Sequence, residues 1–264
     1  MNDIKFSLIA PSIRPQLWKT FCNSLSNTKI NYEVIFIGPL PPICELPSSF
    51  RWIKSSTKPS QCTHIGFMEA KGEFISLTAD DAQYFSPNSS GALDNMMKFI
   101  EKFPEHPTYV KNNIAYGFRM FEDTSCIESS LTHFLIEDKK DGITNPLLYP
   151  FFVIRKSSYI ELKGYDNRFV CGQAENDFLL RVVRDYGHTK NSLCPLAMVW
   201  ANHDAGHNNI SKFREYHSFE TELLKKLWLD ANGQYHIQNN ERLIPYINDD
   251  SLLTTSQGNK GEWI

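Results

Sequence analysis

The sequence predicts an α/β fold: an open, mainly parallel sheet flanked by helices, with a small antiparallel part and a C-terminal helix. Three observations carry that prediction. Short apolar runs alternate with stretches of helical period through the first hundred residues, the order that builds a parallel sheet. At 264 residues and 41% hydrophobic content, the chain has apolar material for one large core. The second half changes character, with strand-like alternation leading into two amphipathic segments.

The elements follow in order. Lys5 to Ala10 reads as a first strand, and Pro11-Ser12-Ile13-Arg14-Pro15 as a turn that starts a helix. In that helix Leu17, Trp18, Phe21, Cys22 and Leu25 share one face. Tyr32 to Ile37 is a second buried strand, stopped by Gly38-Pro39. Strand, helix and strand in this order imply a right-handed parallel crossover. Four prolines in residues 39–50 mark a loop, and Phe50 to Lys54 is a short third strand. Gln61 to Ala70 reads as a helix ended by Lys71-Gly72, followed by a strand from Phe74. Pro87 to Phe103 carries Leu93, Met96, Met97 and Ile100 at helical spacing. Tyr109-Val110-Lys111 and residues 114–120 alternate like antiparallel strands, and Leu147 to Ile154 is strand-like. Glu175 to Tyr186 is an amphipathic helix, with Phe178, Leu179 and Val182 on its apolar face. Ser211 to Leu229 is a longer one, with Tyr216, Leu223, Leu224 and Leu227 on its apolar face. Residues 1–229 thus form one domain in two halves, 1–104 and 105–229, and the polar residues 230–264 form a tail.

Bulk properties exclude several classes. A net charge of −3 and the absence of a long Lys/Arg run argue against nucleic acid or a polybasic membrane patch as partner. Six scattered cysteines with no CxxC pair suit reduced thiols in a cytoplasmic protein. A strand beginning within four residues leaves no signal peptide, and no stretch approaches the roughly 20 apolar residues of a spanning helix. The expectation is a cytoplasmic, soluble protein whose only membrane contact would be peripheral.

In open α/β sheets, ligands bind beyond the carboxyl ends of the strands. Three candidates lie there: the Pro11–Arg14 turn, the Gly38-Pro39 turn and the Asp80-Asp81 doublet. Adjacent carboxylates repel unless something positive sits between them. A divalent cation such as Mg²⁺ or Mn²⁺ meets that need and leaves room for phosphates. The alternative is an acidic turn that caps the helix from Pro87. Glu175 and Asp177 begin a helix, where the dipole favours acids. Two residues apart, they point about 200° away from each other, so one of them faces a reaction centre. His203 and His207 flank Asp204-Ala205-Gly206 and read either as metal ligands or as surface histidines. Arg14 and Lys58 read as contacts to phosphate or base, or as solvated charges. Tyr116, Phe118, Tyr149, Phe151 and Phe152 read as core or as a platform for a sugar.

Lys58 to Ile75, ending Ala70-Lys71-Gly72-Glu73-Phe74-Ile75, resembles the small helix and strand of GT-A glycosyltransferases, family 2 in particular. There an Ala-x-Gly-Glu-Tyr/Phe-Ile pattern leads into the strand bearing the DXD motif, and Thr78-Ala79-Asp80-Asp81 stands at that position. Gly164-Tyr165-Asp166-Asn167-Arg168-Phe169, then Glu175 to Arg181, is similar to the family's acceptor-side block. The resemblance spans roughly residues 4 to 205. It implies a GT-A, Rossmann-like fold with Pro11, Ser12, Arg14, Lys58 and Asp80 on the donor. It implies Mn²⁺ or Mg²⁺ at Asp80 and Asp81, completed by His203 or His207. It places the catalytic base at Glu175, ahead of Asp177. The implied activity is inverting, metal-dependent transfer from a nucleoside diphosphate sugar to a hydroxyl of a saccharide or glycolipid. Departures from the pattern are Thr78 for the first DXD acid, Gly38-Pro39 where relatives carry acids, His64 for Asn, and Ala174-Glu175 for Glu-Asp. One rival reading is a nucleotidyltransferase, whose Gly-rich loop after the first strand is missing from Pro11–Pro15. Another is a non-catalytic degenerate GT-A domain, motivated by Thr78.

Overall fold

The computed structural model describes residues 3–102, 115–122, 127–128, 135–138, 143–146, 151–186, 193–201 and 210–229. Strands β1 (Phe6–Pro11), β2 (Tyr32–Gly38), β3 (Phe50–Lys54) and β4 (Phe74–Leu77) pair in parallel in the order β3-β2-β1-β4. A 3-10 turn at Pro15–Leu17 leads into α1 (Trp18–Ser24), and α2 (Pro59–Glu69) joins β3 to β4. The chain continues through β5 (Ala82–Phe85), α3 (Ala92–Lys102), β6 (Ala115–Glu122), β7 (Ile127–Glu128), β8 (Leu135–Asp138) and β9 (Ile143–Pro146). Then come β10 (Phe152–Arg155), α4 (Lys156–Glu161), α5 (Ala174–Tyr186), β11 (Leu193–Ala201) and α6 (Ile210–Trp228). The full order is β3-β2-β1-β4-β10-β6-β11-β5, with β7 on β6 and β8–β9 as a separate pair. The sheet curls until β5, at its far edge, packs on α1, where Tyr84 N donates to Ser24 Oγ at 3.0 Å.

Period-two alternation splits the apolar residues between two cores. Phe6, Leu8, Ala10, Val34 and Phe36 face one side, where α1 and α3 contribute Trp18, Phe21, Leu93 and Met96. Ile9, Ile35 and Ile37 face the other, against Ile65 and Phe67 of α2, Tyr159 of α4, Phe178 of α5, and Leu224 and Trp228 of α6. Close approach makes glycine necessary at Gly66, where a Cβ would lie 2.4 Å from Ile9 Cγ2. So α2 lies flush on β1 and β2, which sets the height of its N-terminus beside the strand ends.

The structure differs from the sequence reading in identifiable places. Helix α3 starts at Ala92, not Pro87. The Asp94 carboxylate accepts N–H bonds from Gly91 (3.1 Å) and Ile30 (2.9 Å), and Asn95 Nδ2 donates to Ser86 Oγ at 2.6 Å. These side-chain bonds offer residues 86–91 an alternative to helix. Strand β6 is antiparallel to β10 and β7 as expected, but parallel to β11. Tyr116, Phe118, Phe151 and Phe152 are all buried, so as core residues they form no sugar platform. Tyr216, expected on the apolar face of the last helix, is exposed. Tyr109 to Lys111, Tyr149 and the tail 230–264 lie outside the described residues. Among the described residues no helix is long and apolar enough to cross a membrane. The five described cysteines form no disulfide.

Candidate active site

The first cluster forms where β1 and β4 end. Ser12 N donates to Ile37 O at 2.7 Å, tying the turn after β1 to β2. That approach is open because residue 38 is glycine; a Cβ there would lie 1.7 Å from Ser12 O. Asp80, just beyond β4, gathers the turn. Its Oδ2 accepts bonds from Ser12 Oγ (2.9 Å), Ile13 N (3.0 Å) and Arg14 N (2.9 Å). Its Oδ1 accepts Arg14 Nε at 2.9 Å and Arg14 Nη2. The same Nη2 lies 3.0 Å from Asp81 Oδ2, and both carboxylates are only 3% exposed. Burial opposes the charge on Arg14, but Asp80 and Asp81 outweigh it and raise its pKa. The positive charge facing the doublet is therefore a guanidinium from the β1 turn. Capping of α3 falls to Asp94 instead of the doublet. Behind the turn, Trp18 Nε1 donates to Ser12 Oγ at 2.6 Å, and its indole stacks on Phe36 at 4.2 Å. Pro11, Ser12, Arg14, Asp80 and Asp81 thus come together as one unit.

The second cluster surrounds the N-terminus of α5. Ser60 N, in the first turn of α2, donates to Val170 O at 3.0 Å and docks the 170–173 turn against the loop that follows β3. Ser55 in that loop donates to Gly38 O at 3.1 Å, so both clusters share the carboxyl edge of the sheet. Into the turn reaches Glu220 of α6, which is 1% exposed. It accepts backbone N–H bonds from Val170 (2.6 Å), Cys171 (2.7 Å), Gly172 (2.9 Å) and Gln173 (3.1 Å). Glu175 sits one turn on. Burial, reinforced by the charge of Glu220 and offset in part by a bond from its own backbone N–H, pushes its carboxyl from 4.5 up to about 8. The Cys171 thiol is pushed to about 12, by burial first and then by Glu220 and Glu175.

Lys58 belongs to this second cluster, not to the Arg14 unit. It is the N-cap residue of α2, and its Nζ lies 4.8 Å from the centre of the Tyr216 ring of α6. Burial lowers its pKa, while Cys171 and Glu220 act in the opposite direction.

Asp177 does other work. Oδ2 accepts Arg181 Nε at 2.9 Å and Oδ1 accepts Trp228 Nε1 at 2.9 Å. Arg181 also donates through Nη1 to Leu162 O (2.9 Å) and through Nη2 to Gly164 O (2.5 Å). Asp177 therefore joins α5 to α6 and to the turn after α4. That separates the two acids as their 200° spacing requires, and leaves Glu175 as the candidate base.

His203 and His207 lie outside the described residues. Among the described residues no three His, Cys, Asp or Glu side chains gather as a metal cage. The sequence does not reveal Glu220 and Trp228 as site residues, because each acts through a contact about fifty residues away, and it shows Trp18 only as an apolar-face residue, not as a donor to Ser12. Arg181 was detectable, four residues after Asp177 on one helix face.

No protein-family model and no curated protein matches the chain. Solved structures do match. Residues 1–349 of S. aureus TarS superpose with a TM-score of 0.54 at 14% identity, covering 84% of this chain and 66% of that one. The same fragment in complex with UDP-GlcNAc gives 0.53 at 13% identity, covering 84% and 67%. In complex with UDP it gives 0.54 at 13% identity, covering 75% and 60%. The chain spans about two thirds of the length of these fragments and 40% of the longer TarS structure. The likeness establishes the fold, an α/β GT-A-like sheet flanked by helices.

Proposed function

We propose that this chain is a glycosyltransferase that moves a sugar from a nucleoside diphosphate donor to a hydroxyl of a saccharide or glycolipid. One observation carries the reading. A GT-A-like sheet sets the Arg14–Asp80–Asp81 unit and the raised carboxyl of Glu175 along the same carboxyl edge. The fold's likeness to a protein solved with UDP and UDP-GlcNAc supports a uridine diphosphate sugar as the first donor to try.

In this reading Glu175 is the general base. It takes the proton of the acceptor hydroxyl while that oxygen bonds to the anomeric carbon. The bond to the diphosphate breaks with its electron pair leaving on the phosphate oxygen. Direct displacement inverts the anomeric centre. The turn from Pro11 to Arg14, pinned by Asp80, lines the donor pocket with an organised backbone and so lowers the entropy lost in alignment.

A divalent cation, Mn²⁺ or Mg²⁺, would share Asp81 with the Arg14 guanidinium 3.0 Å away. Asp80 is engaged by five donors, so Asp81 is the carboxylate we assign to the cation, together with the donor diphosphate and one of His203 or His207. Magnesium sites of one or two carboxylates plus substrate phosphates have this composition. When bound, the cation would neutralise charge on the departing diphosphate. The cell setting we assign is cytoplasmic, with peripheral membrane contact when the acceptor is lipid-linked.

The test is donor turnover and transfer with a UDP-sugar panel, with Mn²⁺ or EDTA, for wild type, Asp81→Asn and Glu175→Gln. Transfer that disappears in Glu175→Gln and falls with EDTA and in Asp81→Asn supports the reading. Donor binding without turnover would leave a binding module. Turnover unaffected by any of these changes would end the proposal. The base titrates near 8, so the rate should rise with pH up to about that value.

A further inference from the structure

We propose that Glu220 is a positioning residue for the catalytic base: from α6 its carboxylate holds the 170–173 turn that aims Glu175 and sets the charge this acid faces. The inference rests on the reading of Glu175 as base.

Four successive backbone N–H groups converge on one buried side chain, at 2.6 to 3.1 Å. Amides arranged in this way form an anion nest. Here the anion comes from the protein itself, so the nest is closed to substrate phosphate and serves to lock the turn. The lock extends through side chains. Gln173 Nε2 donates to Thr221 Oγ1 of α6 at 3.2 Å, and Asn176 Nδ2 donates to Gln173 Oε1 at 2.7 Å. Residues on both sides of Glu175 are thereby referenced to α6.

Glu220 from α6 and Cys171 from the turn act on Glu175 or feel it, and Lys58 from the start of α2 faces Cys171 and Glu220. Asp177, on the same helix, is held by Arg181 and Trp228. Of these, Glu220 carries the charge that opposes ionisation of Glu175. A helix two elements further along the chain thus holds the turn that directs the base and adds to the proton affinity that burial gives it.

The experiment pairs two variants with two readouts. Glu220→Gln removes the charge and, by turning one oxygen into a donor NH2, leaves two of the four N–H groups without an acceptor; Glu220→Asp keeps the charge and shortens the reach. Carboxyl-carbon NMR follows the titration of Glu175, and the pH–rate profile follows transfer. In Glu220→Gln the Glu175 midpoint should fall by about one unit, and the rising limb of the rate should move with it. In Glu220→Asp the midpoint should stay while kcat falls about tenfold through loss of alignment, with KM for donor little changed. An unmoved titration in Glu220→Gln overturns the proposal. If that variant does not fold, full kcat in Glu220→Asp overturns it. The NMR titration needs no turnover. Absence of transfer by wild type would therefore strike the proposed function, and the titration would still decide what Glu220 does.

Discussion

The two acidic clusters occupy one edge of one sheet and are compensated in opposite ways. At the β1–β4 end, Asp80 is matched by Ser12, two backbone amides and a guanidinium that also serves Asp81. Around α5, Glu220 takes four amides and Asp177 takes Arg181 and Trp228, while Glu175 is half-buried and pushed to about 8. A fully matched carboxylate fixes geometry. A poorly matched one holds a proton loosely near neutrality, which a base needs. In the proposed function the β1–β4 edge stays as it is and the α5 edge changes state.

The comparison can be broken at its weakest member first. Glu175→Gln should lower kcat about 10³-fold, the middle of the range for losing a general base. Initial rates with saturating donor measure it. Asp177→Ala should leave Arg181 buried beside two carbonyls without its acid, and lower stability by about 3–5 kcal/mol. Denaturant unfolding monitored by circular dichroism gives that value. Arg14→Met should lower stability by about 2–3 kcal/mol by leaving two near-buried carboxylates facing each other, and weaken UDP binding in calorimetry. Arg14→Lys should recover only part of this, because an ammonium cannot reproduce the two-pronged contact to Asp80.

The smallest effect has the most telling sign. The Glu175 carboxyl rises from 4.5 in the unfolded chain to about 8 when folded. Between these values the native state binds more protons than the unfolded state, so this group's contribution to stability is lost as pH rises. Glu175→Gln should therefore gain about 1–2 kcal/mol over wild type at pH 8 and nothing at pH 4. Melting curves at the two pH values read it. A variant that is both inactive and more stable at pH 8 marks an acid kept for chemistry at the expense of the fold.

Local periodicity made much of this legible. β1, β2, α5 and α6 each carry a run whose apolar spacing names its geometry, whereas α2, buried nearly all round, was marked by its Lys71-Gly72 stop. β11 escaped because Pro195 interrupts it and its register on β6 shifts between Cys194 and Met198. β5 has four residues and α4 six, too few for a period to declare itself. At the site, Asp80-Asp81 was legible as a doublet needing a positive neighbour. That Arg14 meets this need was not, although Arg14 had been singled out, because the pairing depends on β1 and β4 lying side by side. Glu220 left no trace in sequence, since one acid on an amphipathic helix looks like any other until its partners are folded around it.

The bond from Trp18 to Ser12 gives the turn after β1 an optical signature. The indole is packed on Phe36 at one end and hydrogen-bonded at the other to the hydroxyl that Asp80 holds. Any rearrangement of the turn alters the polarity that this fluorophore senses. Under the proposed function, Trp18 emission, read with the other four tryptophans replaced, would report donor binding at this turn without a label.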